Sequence, residues 1–257
     1  MAVTMERRTF VSLAERDTRL TEIMDDPSCD AGRLRRTLQG FDAVNRAVSS
    51  WGRVYRTHIR PALEAASRST SGSAPHLRIL DVGCGGGDVL RRIVRMAARD
   101  GHAVQGVGID PDPRAIAVAR NARRIPGVEY RECFSSELVA AGERFDVVVS
   151  NHLLHHLSEP EFCGLLADSE ALASRLAVHS DIARGRLAYA AFAVGAVPVS
   201  AGTLLRVDGL RSIRRSYTRS ELSHVLPPRW RAEQVNRFRL LAVHRPDQEG
   251  VELRGER

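Results

Sequence analysis

A glycine-rich turn between an apolar run and an amphipathic segment constrains this chain most. Residues 79–90 read Ile-Leu-Asp-Val-Gly-Cys-Gly-Gly-Gly-Asp-Val-Leu. The apolar run predicts a buried strand, and the helical spacing of apolar residues over 89–99 predicts a helix. Gly83, Gly85 and Gly87 have no Cβ, so the backbone N–H groups of the turn can approach a ligand closely.

The spacing of these glycines argues against a dinucleotide ligand. The dinucleotide fingerprint G-x-G-x-x-G would need its last glycine at position 88, where this chain has Asp88. A pyrophosphate binds at the N-terminus of a helix, where the helix dipole is positive. An acid at that same place carries a negative charge and repels it. The turn therefore predicts a nucleoside ligand without phosphates.

A second strand follows the helix and ends at an acid. Residues 104–109 predict the strand, and Asp110 lies directly after it. An acid at this position, more than 20 residues after the glycines, suits hydrogen bonds to ribose hydroxyls. Strand, turn, helix, strand and acid in this order predict the nucleoside-binding half of a doubly wound α/β sheet.

These segments resemble the cofactor half of class I S-adenosylmethionine-dependent methyltransferases. The matching motifs are LDVGCGGGDVL at 80–90, GVGIDPDP at 106–113 and FDVVVSN at 145–151, the last followed by HLLHHL. The resemblance covers residues 76–184 closely and 216–245 loosely. It implies S-adenosyl-L-methionine as the cofactor, and a Rossmann-like seven-stranded methyltransferase sheet that ends in an antiparallel hairpin.

The resemblance also implies which residues contact the cofactor. Where the family usually has an acid that holds the adenine amino group, this chain has Cys133. The neighbouring Phe134 could stack on the adenine ring, or Glu132 could replace the acid. The implied cofactor-binding residues are Asp81, Gly83, Cys84, Gly85, Gly87, Asp110, Pro111, Cys133, Phe134 and Asn151.

Composition limits the partners and the compartment. All 38 basic residues are arginine, they are interleaved with acids, and aromatic residues make up 5%, so the net charge of +7 does not by itself predict a nucleic-acid partner. A basic patch on the folded surface would favour such a partner. Four scattered cysteines and a charged N-terminal stretch predict a cytoplasmic protein without disulfides or a signal peptide. No sequence feature indicates an oligomeric state.

Residues 1–75 predict an N-terminal helical cap and a linker before the α/β core of residues 76–184. Apolar and aromatic spacing predicts one amphipathic helix that starts near Asp42 and ends before Pro61. In the family such helices cover the cleft, which would make Phe41, Asn45 and Trp51 substrate-binding residues. The alternative is that Trp51 packs this helix onto the sheet.

Residues 185–215 predict an apolar helical insertion that covers the site as a lid. The segment 187–205 has 19 consecutive uncharged residues, but Pro198 interrupts it and it lies between two strands of one domain, so we do not expect a transmembrane segment. Tyr189 and Phe192 would bind an apolar substrate, and Arg206 would lie at the polar rim. The alternatives are packing on the core or contact with a membrane surface. Residues 216–257 then predict a helix, the terminal hairpin and a tail.

The predicted reaction is methyl transfer to an apolar small molecule, most simply O-methylation of a phenolic or polyketide-derived hydroxyl. The polar run after the lid is similar to small-molecule methyltransferases associated with bacterial type III polyketide synthases or with quinone pathways. Three alternatives stay open: C- or N-methylation of a quinone-type metabolite, methylation of RNA or protein, and a cofactor-binding partner without catalysis.

Histidines after the fourth predicted strand are the candidate bases. A phenol has a pKa near ~10, so a base helps its methylation at neutral pH, and histidine is the usual choice. His152 and His155 are the candidates, with Asp181 as a rival at the end of the next strand. The alternative is a structural role for these histidines. Their helical spacing lacks the glutamate of H-E-x-x-H, so no metal is predicted.

Overall fold

The computed structural model describes residues 12–69 and 77–246. Within these residues, seven strands form one sheet in the order β3-β2-β1-β4-β5-β7-β6. The first five of that order run parallel, and β7 lies antiparallel to both of its neighbours. The predicted fold class is confirmed. The strands are β1 (Leu77–Val82), β2 (Val104–Ile109), β3 (Val128–Arg131), β4 (Phe145–Asn151), β5 (Ala173–Ile182), β6 (Trp230–Asn236) and β7 (Arg239–His244).

Some of the helices begin where the local sequence supplies a side-chain cap. Ser158 with Glu161, and Thr218 with Glu221, form capping boxes that satisfy the first N–H groups of α7 and α10. Helical segments are α1 (Ala31–Val48), α2 (Trp51–Val54), α3 (Arg60–Ser69), α4 (Asp88–Arg99), α5 (Pro113–Asn121), α6 (Ser135–Ala140), α7 (Glu159–Leu172), α8 (Arg186–Gly195), α9 (Leu205–Arg215) and α10 (Arg219–Val225). Short 3-10 turns cover Ile23–Asp25, Leu154–His156 and Val197–Val199.

Both faces of the sheet are buried, which explains the continuous apolar runs of its central strands. On one face, α3 and α4 pack Leu63 and Ile93 against Ile79 and neighbouring strand residues. On the other face, Phe162 and other residues of α7 pack against the sheet. Each such side chain contributes about 1.5–3 kcal/mol by burial. From β1, the chain first adds β2 and β3 on one side and then crosses to add β4 and β5 on the other side. A crevice opens where the direction changes, at the carboxyl ends of β1 and β4.

The N-terminal helices depart from the predicted single helix. Ser50 has a left-handed φ of 57°, which ends α1, and helical structure then continues through Pro61, the second residue of α3. A π-helical turn, Tyr55–Ile59, precedes the proline. Proline cannot donate a helical hydrogen bond, and a wider turn before it accommodates that loss. Of the described N-terminal helices, α1 therefore contributes residues to the lining of the crevice, and α2 and α3 do not. Of the predicted linker, residues 70–75 lie outside the described residues.

The insertion after β5 is helical, as predicted, and it is held by an N-terminal strap, residues 12–30. The carboxylate of Asp208 in α9 accepts the N–H groups of Ile23 and Met24 at 2.9 and 3.0 Å. Arg214 pairs with Asp17 at 2.6 Å. Within the described part of the chain, no helix has both the length and the apolar character needed to cross a bilayer.

Candidate functional site

A cavity of about 820 Å³ lies at the carboxyl ends of β1, β2 and β4, below α1 and the two insertion helices. This volume is in the upper part of the range for small-molecule sites, so the cavity can hold a nucleoside and a second small ligand. The glycine turn forms one side. Apolar residues of the lid and of the chain after β4 form the other, including Leu153, Leu157, Ala188, Phe192 and Ile213.

The glycine turn needs glycine for two separate reasons. Gly83, Gly85 and Gly87 have φ values of 65°, 53° and 72°, which L side chains rarely adopt. A Cβ on Gly87 would also lie 2.4 Å from the hydroxyl oxygen of Tyr130. Tyr130 accordingly packs under the turn, where its hydroxyl donates to the Gly87 carbonyl at 3.2 Å.

Replacing Gly87 with alanine should lower the free energy of unfolding by about 2–4 kcal/mol, because strain at positive φ adds to overpacking. Gly142→Ala is the matched control: Gly142 has a φ of 68°, and no described atom lies within 4 Å of the place that an alanine methyl group would occupy. The control substitution should lower the free energy of unfolding by only about 1–2 kcal/mol. Urea unfolding measures both, and equal losses would contradict a clash with Tyr130.

Two acids frame the turn. Asp81 is 1% exposed at the end of β1, and neither of its carboxylate oxygens has a hydrogen-bond partner among the described residues. Burial, followed by the nearby carboxylates of Asp88 and Asp110, raises the pKa of Asp81 well above its ordinary value. Asp110 accepts the N–H groups of Gly85 and Asp112 at 3.0 and 2.9 Å. Burial also raises the pKa of Asp110.

The N-terminal helices close onto the same turn. Asn45 of α1 donates to the Asp88 carboxylate at 2.9 Å, so a neutral amide contacts this acid at the start of α4. Trp51 donates its indole N–H to the Asn151 side-chain oxygen at 3.1 Å. The predicted residues Asn45 and Asn151 therefore both lie at the cavity, whereas Trp51 is fully buried behind it.

His152 lies on the cavity wall in an unusual backbone conformation. Among the described residues other than glycine, only Ser50 and His152 have positive φ, and that of His152 is 58°. Its ring stacks on Phe41 with centroids 6.4 Å apart. Burial, and then the charge of Arg239, lowers the pKa of His152 well below its ordinary value. The neutral imidazole can accept a proton from a ligand in the cavity, and its lowered pKa makes it a weaker base than a free histidine.

His155 instead belongs to a buried ionic network. Its Nδ1 lies 2.7 Å from Asp181 Oδ1, its Nε2 lies 3.2 Å from Glu22 Oε1, and its backbone N–H donates to Asp181 Oδ2. Despite burial, the two carboxylates raise the pKa of His155 to about 9. The pKa of Asp181 is lowered, against the effect of burial, by His155. Both ring nitrogens of His155 are engaged, which favours His152 as the base.

The predicted helix over these histidines is not observed. Leu154–His156 forms one 3-10 turn, and His152 precedes it in the left-handed region. Because of this turn, the rings of His152 and His155 are 6.4 Å apart and nearly perpendicular. Arg215 holds the turn by donating to the carbonyls of His155 and His156, each at 3.1 Å.

Several cavity residues were not found by sequence reasoning. Glu22 and Asp25 come from the N-terminal strap, and Arg239 comes from the first position of β7. Arg239 is 3% exposed, and burial lowers its pKa to about 10, so it stays charged at neutral pH. No local motif marks these residues, because the elements that supply them lie far apart in the sequence.

The structure brings most of the predicted site residues to one cavity. Those that line it are Phe41, Asn45, Asp81, Gly83, Cys84, Gly85, Asp110, Pro111, Asn151, His152, His155 and Phe192. Those outside its lining are Trp51, Gly87, Cys133, Phe134, Asp181, Tyr189 and Arg206.

Local structure explains why three of these residues lie outside the cavity lining. The Phe134 side chain is 61% exposed, beyond the end of β3. Arg206 donates to the Ala193 carbonyl at 3.0 Å and so ties α9 to α8. Tyr189 lies on α8 away from the face that contacts the cavity, which is formed by residues 188, 191, 192 and 195. For Cys133 and Phe134 the adenine contact stays a prediction.

Comparisons with known proteins agree with this geometry. Residues 79–174 match the family model described as a methyltransferase domain. Two solved structures share the fold: the plantazolicin methyltransferase BpumL in complex with SAH, and human N-acetylserotonin methyltransferase in complex with SAM. The first has a TM-score of 0.53 and 13% identity over 83% of this chain and 95% of its own. The second has a TM-score of 0.51 and 11% identity, and the match covers 84% of this chain and 56% of that protein.

The chain therefore has the fold of class I S-adenosylmethionine-dependent methyltransferases, and its residues 79–174 match the model of a methyltransferase domain. Within this class it is similar to ubiquinone biosynthesis O-methyltransferases. That of Cereibacter sphaeroides (strain ATCC 17025) is 41% identical over 86 residues, 33% of this chain and 32% of the relative. That of Rhizobium leguminosarum bv. trifolii is 34% identical over 122 residues, 46% of each chain. The match spans about a third to a half of these relatives' length.

Proposed function

We propose that this protein uses S-adenosylmethionine to methylate an oxygen of an apolar small molecule, a phenolic or quinol-type hydroxyl. One observation carries the proposal: a neutral imidazole, His152, lies on the wall of the cavity that also contains the glycine turn. The four cysteines are free, which agrees with the cytoplasm as the proposed compartment.

The residues around the turn fit S-adenosylmethionine. The buried Asp81 carboxylate has no hydrogen-bond partner among the described residues, and a cationic ligand would supply one. Asp110 is the acid for the ribose hydroxyls, and the glycines leave the space that side chains would fill. The cofactor supplies an electrophilic methyl group on a sulfonium.

The chain's own residues would activate the acceptor. His152 takes the proton that the acceptor hydroxyl loses, which leaves an oxygen lone pair free to form the new C–O bond. The guanidinium of Arg239, buried at the same cavity, stabilises the negative charge that develops on that oxygen. The apolar walls orient the acceptor, and orientation supplies much of the rate in a single in-line displacement.

The relatives support the substrate class. They are named ubiquinone biosynthesis O-methyltransferases, and the methyltransferase-domain model that matches residues 79–174 includes the cofactor turn. A polyketide-derived phenol offers the same chemistry as a quinol: an apolar body with an ionisable hydroxyl. C- or N-methylation of a quinone-type metabolite is the next candidate within this class.

A nucleic-acid acceptor is the second candidate, because one observation favours it. A cleft of about 1120 Å³ beside α4 and α5 is lined by seven arginines and, among the described residues, by no acid. The arginines are Arg35, Arg91, Arg95, Arg99, Arg114, Arg123 and Arg124. The described lining of this cleft also contains no aromatic residue on which bases could stack. It shares only Leu34, Leu38, Gly86 and Arg114 with the main cavity, so RNA ranks below a small molecule.

An acceptor screen tests the proposal. The full chain is incubated with S-adenosylmethionine and with hydroquinones, catechols, polyketide phenols or a short RNA, and mass spectrometry detects added methyl groups. We expect O-methylated phenolic products and unmodified RNA. Methylated RNA with no phenolic product would contradict the proposal, and cofactor binding without any turnover would indicate a non-catalytic partner.

Phe192 should control acceptor binding more than cofactor binding. It lies on the lid face of the cavity and packs against Gly209 of α9. Phe192→Ala should raise KM for the acceptor about 10-fold, the equivalent of losing about 1.5 kcal/mol of apolar contact. Val194→Ala is the control, since that side chain on the same helix is 75% exposed. Equal effects of the two variants on acceptor KM would contradict this role for the lid.

A further inference from the structure

Three side chains at one end of the cavity bring potential metal-binding atoms close together. Among the described residues, Glu22, His155 and His156 have potential metal-binding atoms that all lie within 4.8 Å of one another. His155 Nε2 and His156 Nε2 lie 3.2 and 3.6 Å from Glu22 Oε1. A tetrahedral zinc ion with bonds of about 2.0–2.1 Å holds its ligand atoms about 3.3–3.5 Å apart. The two separations from Glu22 Oε1 lie just below and just above that spacing.

The outer nitrogens of both histidines are held by carboxylates. His155 Nδ1 lies 2.7 Å from Asp181 Oδ1, and His156 Nδ1 lies 3.0 Å from Asp25 Oδ2. Metal-binding histidines almost always donate their second N–H in this way, which fixes the ring. In the absence of an ion, His155 Nε2 contacts Glu22 Oε1, so an ion would replace the proton shared by these two atoms. Ser212 also donates to Glu22 Oε1 at 2.7 Å and orients that carboxylate. Each of the three proposed metal-binding side chains therefore has a hydrogen-bond partner that orients it.

We propose that Glu22, His155 and His156 form a binding site for a divalent transition-metal ion, with one coordination position open to the cavity. Two imidazoles and one carboxylate are the ligands that catalytic zinc takes in several enzymes, with water or substrate in the fourth position. All three residues line the cavity. The sequence analysis expected no metal because it combined only the neighbouring histidines, whereas Glu22 lies 133 positions before His155.

The open position gives the ion a role toward the acceptor, and this role rests on the proposed function. A hydroxyl oxygen of the acceptor bound to the ion would lose its proton more easily, because the ion stabilises the oxyanion. A catechol or hydroquinone is then a better acceptor than an isolated alcohol. Binding of the ion itself does not depend on methyl transfer.

Metal titration tests the site without any methyl donor. The full chain is treated with a chelator, desalted and titrated with Zn²⁺ by calorimetry, and with Co²⁺ while its visible d–d bands are recorded. We expect one equivalent of Zn²⁺ at micromolar or tighter affinity, a tetrahedral Co²⁺ spectrum, and a higher Tm with Zn²⁺. Binding well below one equivalent would overturn the proposal and leave a closed ion-pair network.

Variants assign the ligands. Glu22→Gln and His156→Asn should each weaken Zn²⁺ binding by more than about 100-fold, and Asp181→Asn by about 10- to 100-fold through the orientation of His155. His224→Ala, at an exposed histidine of α10, should bind as the wild type does. Circular dichroism checks folding, and two ligand variants keep the test valid if one of them misfolds. Wild-type affinity in folded Glu22→Gln and His156→Asn would overturn the assignment.

The role toward the acceptor has its own readout. Adding catechol to the Co²⁺-loaded chain should shift the visible bands, and the shift should be absent in Glu22→Gln. Zinc binding without methyl transfer in the acceptor screen would support the site and contradict the proposed function. Full methyl transfer by metal-free chain that binds no Zn²⁺ would support the proposed function and overturn the site.

Discussion

Replacing His152 with asparagine should lower kcat for methyl transfer by about 10²- to 10⁴-fold, the usual contribution of a general base. Asparagine is the suitable replacement, because it tolerates the left-handed backbone that His152 adopts at a φ of 58°. The affinity for S-adenosylmethionine should change little, since none of the acids around the glycine turn is altered. Initial rates and calorimetry on the same preparation measure both quantities.

The pH profile of the wild type adds an independent readout. Burial and Arg239 depress the pKa of His152, so its basic form predominates at neutral pH. The value of kcat/KM should therefore rise with pH and level off at a pKa below the ordinary 6.5. The His152→Asn variant should lack this acidic limb, and His224→Ala should retain it. A variant with more than a tenth of the wild-type kcat would contradict a base role for His152.

Replacing Asp110 with alanine should weaken S-adenosylmethionine binding by about 10²- to 10⁴-fold. The reason is the loss of two hydrogen bonds from ribose hydroxyls to a charged acceptor, each contributing about 1.5–3 kcal/mol. Asp110 also accepts the Gly85 N–H at 3.0 Å, so the alanine variant removes support for the turn itself. Calorimetric titration with the cofactor measures the loss.

Two further variants separate these contributions. Asp110→Asn keeps an acceptor for Gly85 but removes the charge, so its affinity should fall between those of the wild type and the alanine variant. Glu129→Gln, at an exposed acid of β3 that pairs with Arg131, serves as the control for removing one negative charge. Unchanged affinity in Asp110→Ala would remove Asp110 from the cofactor site.

The sheet could be predicted closely from the sequence because local patterns determine its strands. The run over 145–150 predicted β4, which the structure extends by one residue to Asn151. The glycine turn with Asp110 likewise located one side of the cavity. Such features depend on residues close together in the chain, where apolar periodicity and turn chemistry act directly.

The lid shows why finer detail could not be predicted. Sequence reasoning selected its large residues, Tyr189 and Phe192, as cavity lining. The structure uses positions 188, 191, 192 and 195 of α8, spaced by three and four as one helix face. Three of these four are alanine or glycine, and only Phe192 is large. Which helix face turns inward depends on the partner helix α9, which local sequence does not specify.

The acidic and basic residues around the histidines could not be predicted for a similar reason. Glu22, Arg215 and Arg239 come from the strap, α9 and β7, and only the folded chain brings them together. The left-handed conformation of His152 was also missed, since positive φ is uncommon outside glycine even for residue types that tolerate it, such as histidine. These features depend on tertiary contacts rather than on spacing.

The N-terminal strap imposes an order on the biosynthesis of this protein. Glu22 leaves the ribosome 133 residues before its partner His155 and 190 residues before Ser212. Ile23 and Met24 likewise precede Asp208, whose carboxylate holds them, by 185 and 184 residues. The strap therefore has no docking surface while the central sheet is being translated. The first described residues to emerge are among the last to reach their final place, and the cavity closes only after α9 has been translated.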